Sequence, residues 1–440
     1  MLKNVSVLVL SFSVLALLAL NGCGGSGADL SGSGDTPDSA GTFVTADPGK
    51  GDATWGEVLA LKPGDPLLIR SSVYGGSGVK EFPVAFRSST VEGVSRMVFI
   101  TRPDIPGMPS VAPGWSGSTV YLPSGKRIGS LAFGGFDAKS FGVTFIGDMQ
   151  KGVLALGRSP SGVKPLGLAA TISSPRQAWA ESLQNKAPGF TVVKMPQGRE
   201  ARATRGGEDR PLEGGAIAIP LVNSPYLQMA ASGTFTGMSV SDKGDSLGLA
   251  FGHTVFGSVA GGRVEYPVHK GACIGNFDGF KWITPNTEPI GVLVQDGQFG
   301  AVVDFNGDPA QSVLSVHTHL EVNGKMIPVD HGTVSRNWSF ARLFTSFVPT
   351  AAVRVLRDSD TITGDVHLEI TITKTDGSTS TFTGDATTRG GRGGEGEPEI
   401  VSNLLWWVED ETIGALGAEG AMDVKNVNMV HVKMVFTNAS

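Results

Sequence analysis

Apolar residues recur in short alternating runs along most of the chain. The clearest run places Val366, Leu368, Ile370 and Ile372 between His367, Glu369, Thr371 and Thr373, and Asp376-Gly377 follows as a turn. A period of two with such a turn predicts a half-buried antiparallel hairpin. The same pattern predicts strands over 66–70, 82–87 and 97–102, and a hairpin pairing 119–122 with 127–133 across Ser124-Gly125-Lys126. Further strands are expected over 216–222, 231–236, 291–294, 300–305 and 315–322, and an apolar run over 247–251 leads up to His253 at a strand end. The best short helix signal in the first half of the chain lies over 175–186, and the charged, aperiodic 199–210 stretch predicts an exposed loop open to nicking. The chain therefore predicts a mainly β protein.

Composition sharpens this picture. The 62 glycines are about twice the usual share and punctuate the apolar runs, while 40% hydrophobic residues suffice for ordinary cores. The net charge of −6 comes from interspersed residues, so neither a nucleic-acid partner nor a basic membrane-binding face is indicated. Lys3 followed by the apolar 5–20 run, too short for a comfortable bilayer span, predicts an export signal over 1–22.

That signal ends in Leu20-Asn21-Gly22-Cys23, which resembles a bacterial lipobox and implies that Cys23 is acylated as a membrane anchor. A conventional cleaved signal with an incidental cysteine is the alternative. Acyl burial contributes about 0.8 kcal/mol per CH₂, so several chains would hold the protein on the cell membrane or outer membrane. With Cys23 acylated, Cys273 has no second cysteine, and no internal disulfide is expected. Residues 23–52 have the composition of a flexible tether, 53–345 form the main body, and 346–440 read as a separate β-rich unit. Within the body, 53–172 and 212–345 read as two halves joined by a charged linker over 173–211.

The candidate chemistry centres on Gly114-Trp115-Ser116-Gly117-Ser118. Flanking glycines allow a sharp turn and a close approach of backbone N–H groups to a developing oxyanion, although a plain Gly/Ser turn has the same composition. A serine hydroxyl needs a base, and His253 stands out among the seven histidines because Gly252 precedes it and Gly257, Gly261 and Gly262 follow. His317 and His319 share a strand face, but the sequence offers no third ligand of matching spacing for zinc. His269, His331, His367 and His431 have ordinary strand or loop contexts. The 388–396 loop lacks phosphate-loop spacing, Leu404-Leu405-Trp406-Trp407 reads as core packing, and no cofactor is expected.

The segment from Gly114 through Asp148 resembles the nucleophile region of the stage IV sporulation protein B (SpoIVB) peptidase family, with its Gly-Met-Ser-Gly-Ser-Pro pattern and following hairpin. A second segment, Gly214 through Pro267, contains GGAIAIPLV, AASGTFTG and LGLAFGHTVFG in the order seen in bacterial members. The resemblance covers roughly residues 60 to 320 and implies two chymotrypsin-like β-barrels, circularly permuted because the serine segment precedes the histidine segment. Trp115 and Thr119 replace the family's methionine and proline.

By the same resemblance Ser116 is the nucleophile, His253 the general base, and the N–H groups of Gly114 and Ser116 the oxyanion hole. Asp104 is the expected acid, with Asp278 as the alternative on the histidine's barrel. The implied activity is that of a lipid-anchored serine endopeptidase acting on a protein or peptide of the cell envelope. A catalytically silent binding or scaffold lipoprotein is the alternative.

Overall fold

A computed structural model of the chain describes residues 43–45, 51–73, 78–102, 111–134, 139–150, 164–165, 169–173, 190–192, 210–224, 227–241, 246–256, 263–277, 280–327, 331–335, 364–388 and 427–437, with 407, 411–412 and 414–415. The fold is mainly β, as expected, with closed six-stranded antiparallel barrels in two sheets. Cys23, the 1–22 segment, the helix expected over 175–186, most of the 173–211 linker, Asp104 and Asp278 lie outside the described residues. No helix among the described residues is long and apolar enough to cross a membrane.

The first barrel uses β1 (Pro66–Ser72), β2 (Val79–Glu92), β3 (Ser95–Thr101), β4 (Thr119–Tyr121), β5 (Arg127–Gly134) and β6 (Ser140–Phe145). They pair in the order β4-β1-β2-β3-β6-β5, and β4 returns to β5 to close the ring. The hairpin read from Ser124-Gly125-Lys126 is present, with Thr119 opposite Ser130 and Gly125 at a φ of 86°. Alternation directs Leu67, Ile69, Val98, Ile100, Val120, Ile128 and Val143 into one core. A short helix α1 (Trp55–Leu59), begun by a capping box between Thr54 and Glu57, packs Val58 and Trp55 against that core.

The second barrel uses β7 (Ala216–Asn223), β8 (Gln228–Ser241), β9 (Ser246–Ala250), β10 (Arg263–Phe277), β11 (Phe280–Gly297) and β12 (Gly300–Asp304). Their order is β8-β9-β12-β11-β10-β7, closed by the β7–β8 pairing. Closure removes the exposed edges that free strands would leave. Ile217, Ile219, Leu221, Phe235, Val268, Leu293 and Val303 fill this barrel.

The sheet then continues through β13 (Val313–Val322), β14 (His331–Ser335), β15 (Gly364–Lys374), β16 (Thr379–Thr388) and β17 (Val427–Thr437). β14 pairs with β7, β13 lies parallel to β17, and β15 bridges β17 and β16. The β15–β16 hairpin turns at Gly377, with a φ of 84°. Val366, Leu368, Ile370 and Ile372 join the same core as the second barrel.

Barrel meets barrel along a polar seam. Thr119 Oγ1 donates to Thr236 O at 2.7 Å, Thr236 Oγ1 to Gly117 O at 3.0 Å, and Thr144 Oγ1 to Gly252 O at 2.7 Å. Arg127, buried on β5, donates to Asp52 at 2.6 Å and, from Nη1, to Glu213 at 2.9 Å and the Met238 carbonyl at 3.0 Å. The N-terminal segment, the first barrel and the second barrel are thus tied through one side chain.

Candidate functional site

The 114–118 turn lies in this seam. Gly114 and Gly117 adopt φ values of 92° and 97°, where L side chains are strained. Space is as restrictive as backbone angle: a Cβ on Gly117 would lie 1.8 Å from Thr234 O, and one on Gly114 would lie 2.7 Å from Lys281 O. Glycine at both positions lets the turn press directly on the second barrel.

Hydrogen-bond accounting in the turn is selective. Trp115 N donates to Ala112 O at 3.0 Å, Gly117 N to Leu131 O at 2.9 Å and Ser118 N to Trp115 O at 2.9 Å. The N–H groups of Gly114 and Ser116 have no backbone acceptor among the described residues. These are the two groups expected to form the oxyanion hole. The Trp115 carbonyl faces Ser118, accepting from its N–H and, at 2.6 Å, from its hydroxyl. Because a trans peptide is planar, the Ser116 N–H points the opposite way. Ser116 itself is fully buried, and its Oγ has no hydrogen-bond partner among the described residues.

The histidine reaches the seam by a different device. After β9, Phe251 and Gly252 adopt left-handed φ values of 65° and 70°, and Gly252 N donates back to Ala250 O at 2.8 Å. A γ-turn with a left-handed non-glycine at its centre is rare, and such strain costs about 1–3 kcal/mol. Burial of the Phe251 ring in the second barrel's core opposes that cost. Gly252 is again a steric necessity, since a Cβ there would lie 2.5 Å from Ser130 Oγ.

His253 follows, buried, with Nδ1 2.6 Å from the Thr254 carbonyl. That carbonyl can only accept, so Nδ1 carries the hydrogen and Nε2 presents a lone pair. Burial lowers the His253 pKa below its ordinary 6.5, against the opposing effect of the Thr254 bond, so the ring is neutral at pH 7. Nε2 is buried without a hydrogen-bond partner among the described residues.

Ser116 Oγ and His253 Nε2 are therefore a potential donor and a potential acceptor in one seam, but no hydrogen bond joins them. The Ser116 backbone and that of Phe251, two residues before His253, meet on Thr234, whose N–H donates to Ser116 O at 2.8 Å and whose carbonyl accepts from Phe251 N at 3.3 Å.

No family model, curated protein or solved structure matches the chain.

Asp296 is an acid that sequence reasoning missed. Buried on β11, it accepts from Thr254 Oγ1 at 3.0 Å, Val255 N at 2.7 Å and Phe256 N at 2.8 Å. It fixes the segment whose carbonyl orients His253, and nothing local in Gln295-Asp296-Gly297 signals that role. Asp148, at the end of the quoted serine segment, is committed to Arg96.

The other histidines take separate places. His317 and His319 lie on β13 with the His431 ring 6.5 and 6.1 Å from theirs, centroid to centroid, but the described residues contain no group able to hold a metal. His367 Nδ1 lies 2.7 Å from Asp385. Trp407 packs partly buried against the main core.

Proposed function

We propose that the chain is a serine peptidase of permuted, chymotrypsin-like type in which Ser116 is the nucleophile and His253 the general base. The observation that carries this reading is a coincidence of orphan groups. Among the described residues, a buried hydroxyl without an acceptor, a buried imidazole with a lone pair to offer, and two unclaimed N–H groups at Gly114 and Ser116 all belong to two turns that share Thr234. Burying polar groups without partners costs free energy, and active sites are where such a cost has a function.

The reaction follows from these roles. Ser116 Oγ attacks a peptide carbonyl and passes its proton to Nε2, the two N–H groups donate to the oxyanion, and the imidazolium returns the proton to the leaving amine. Asp104 or Asp278, the proposed acids, would reach the imidazole only by displacing the Thr254 carbonyl from Nδ1. A lipid anchor at Cys23 would confine the enzyme to an envelope membrane and to substrates there.

A second reading, a silent scaffold with the same fold, is favoured by the absence of a bond between Ser116 Oγ and His253 Nε2 and by the complete burial of Ser116. A fluorophosphonate probe separates the two. The peptidase reading expects an adduct on the Ser116 peptide, lost in Ser116→Ala and slowed at least about a hundredfold in His253→Gln. Folded wild-type protein that takes no label at Ser116 would leave the scaffold reading standing.

A further inference from the structure

Lys281 on β11 is fully buried, and no carboxylate among the described residues forms an ion pair with it. Its Nζ instead donates to Ser71 Oγ at 3.0 Å and Thr234 Oγ1 at 3.3 Å, and lies 5.4 Å from the centroid of the Trp115 ring. Its backbone N–H donates to Pro113 O at 2.8 Å. The residue thus lies directly behind the Ser116 turn.

Two hydroxyl chains lead from the ammonium to that turn. A hydroxyl has one hydrogen and two lone pairs, so each link can accept on one side and donate on the other. In the first chain, Thr234 accepts from Lys281 and donates to Gly114 O at 3.1 Å. In the second, Ser118 donates to Trp115 O at 2.6 Å and lies 2.8 Å from Ser71 Oγ. With the Ser118 hydrogen so engaged, Ser71 donates to Ser118 and accepts from Lys281. The chains end on the carbonyls of the two residues immediately before Ser116. Hydrogen bonds linked in this way polarise one another, and a charged donor strengthens the whole chain.

We infer that Lys281 is a positioning residue whose ammonium, acting through Ser71, Ser118 and Thr234, holds the Gly114 and Trp115 carbonyls inward and so keeps the Ser116 N–H aimed at an oxyanion. This rests on Ser116 being the nucleophile. A buried cation with no counterion among the described residues is a poor stabilising device, and an apolar side chain of similar length would serve packing better. Burial pushes the Lys281 ammonium down to about 8, against an opposing electrostatic effect of Cys273 on β10. The chains therefore weaken as the lysine loses its proton, and the turn relaxes on the alkaline side.

The test compares full-length wild type, Lys281→Met and Thr234→Val, with folding checked by circular dichroism. The first readout is the fluorophosphonate labelling rate from pH 6 to 9.5. Lys281→Met is expected to label about a hundredfold more slowly and to lack the alkaline fall, and Thr234→Val to show a smaller loss with the fall retained. Lys281→Met labelling within twofold of wild type, with the same pH profile, would overturn the inference. The second readout needs no catalysis: in Ser116→Ala, Trp115 emission should shift with a midpoint near pH 8 and lose that shift when Lys281→Met is added. Absence of the shift also overturns the inference. A shift without any wild-type label would sink the nucleophile and leave the hold of Lys281 on the turn supported.

Discussion

Arg127 and Lys281 are both buried cations at the seam between the barrels, yet their surroundings are opposites. Arg127 is met by Asp52, Glu213 and a carbonyl, and although burial opposes its charge, the two carboxylates raise its pKa. Lys281 is met by two hydroxyls and an indole, and burial lowers its pKa to about 8. The first is a compensated staple between domains. The second keeps its charge at the expense of stability, beside the turn that carries Ser116. The same kind of residue thus meets opposite surroundings in one interface, and the counter-charges decide whether its burial stabilises the fold.

The largest effect should come from the turn itself. Gly117→Ala places a methyl 1.8 Å from Thr234 O at a left-handed φ, and should destabilise by more than about 4 kcal/mol or prevent folding. Chemical denaturation measures this, and a mild effect would show that the turn does not press on the second barrel.

Arg127→Met should cost about 3–5 kcal/mol by leaving Asp52 and Glu213 without their cation. Lys281→Met should do the reverse. The unfolded lysine titrates near its ordinary 10.5 and the folded one near 8, so between those values the unfolded chain binds more protons and wild-type stability rises with pH. The variant should therefore be more stable by roughly 3 kcal/mol below pH 8, and the advantage should vanish by about pH 10.5. If both variants lose stability equally at pH 7, the two cations are equivalent and the contrast fails.

His253 should contribute the smallest effect, with the opposite dependence on acid. Its folded pKa is lowered, so it stays neutral while the unfolded histidine protonates near 6.5. Stability should fall as the pH drops below about 6.5, and His253→Gln should lack that part of the acid limb in a thermal scan.

What the sequence made legible follows from the range of the physics involved. Alternation over 366–373 and turn glycines such as Gly125 and Gly377 act within a few residues, and both hairpins are present. Gly114, Gly117 and Gly252 were readable as sites of close approach, but not what they approach. The seam was not legible, because its partners are distant in sequence: Lys281 meets Ser71 across 210 positions, and Thr236 meets Gly117 across 119. The left-handed Phe251 gives no local signal, since burial of its ring stabilises a backbone that its own propensity opposes. Asp296 is hidden for the same reason, as its partners lie across the barrel on the 254–256 segment.

The central claim is that Ser116 and His253, delivered by different barrels, act on the same reacting atom. A crystal structure of the phosphonylated protein tests it most directly. The account predicts a phosphonyl oxygen within about 3.1 Å of the N–H groups of Gly114 and Ser116, and His253 Nε2 within about 3.2 Å of Ser116 Oγ. An adduct whose oxygen turns away from those N–H groups, or a His253 ring that stays out of hydrogen-bond reach of Ser116, would contradict it.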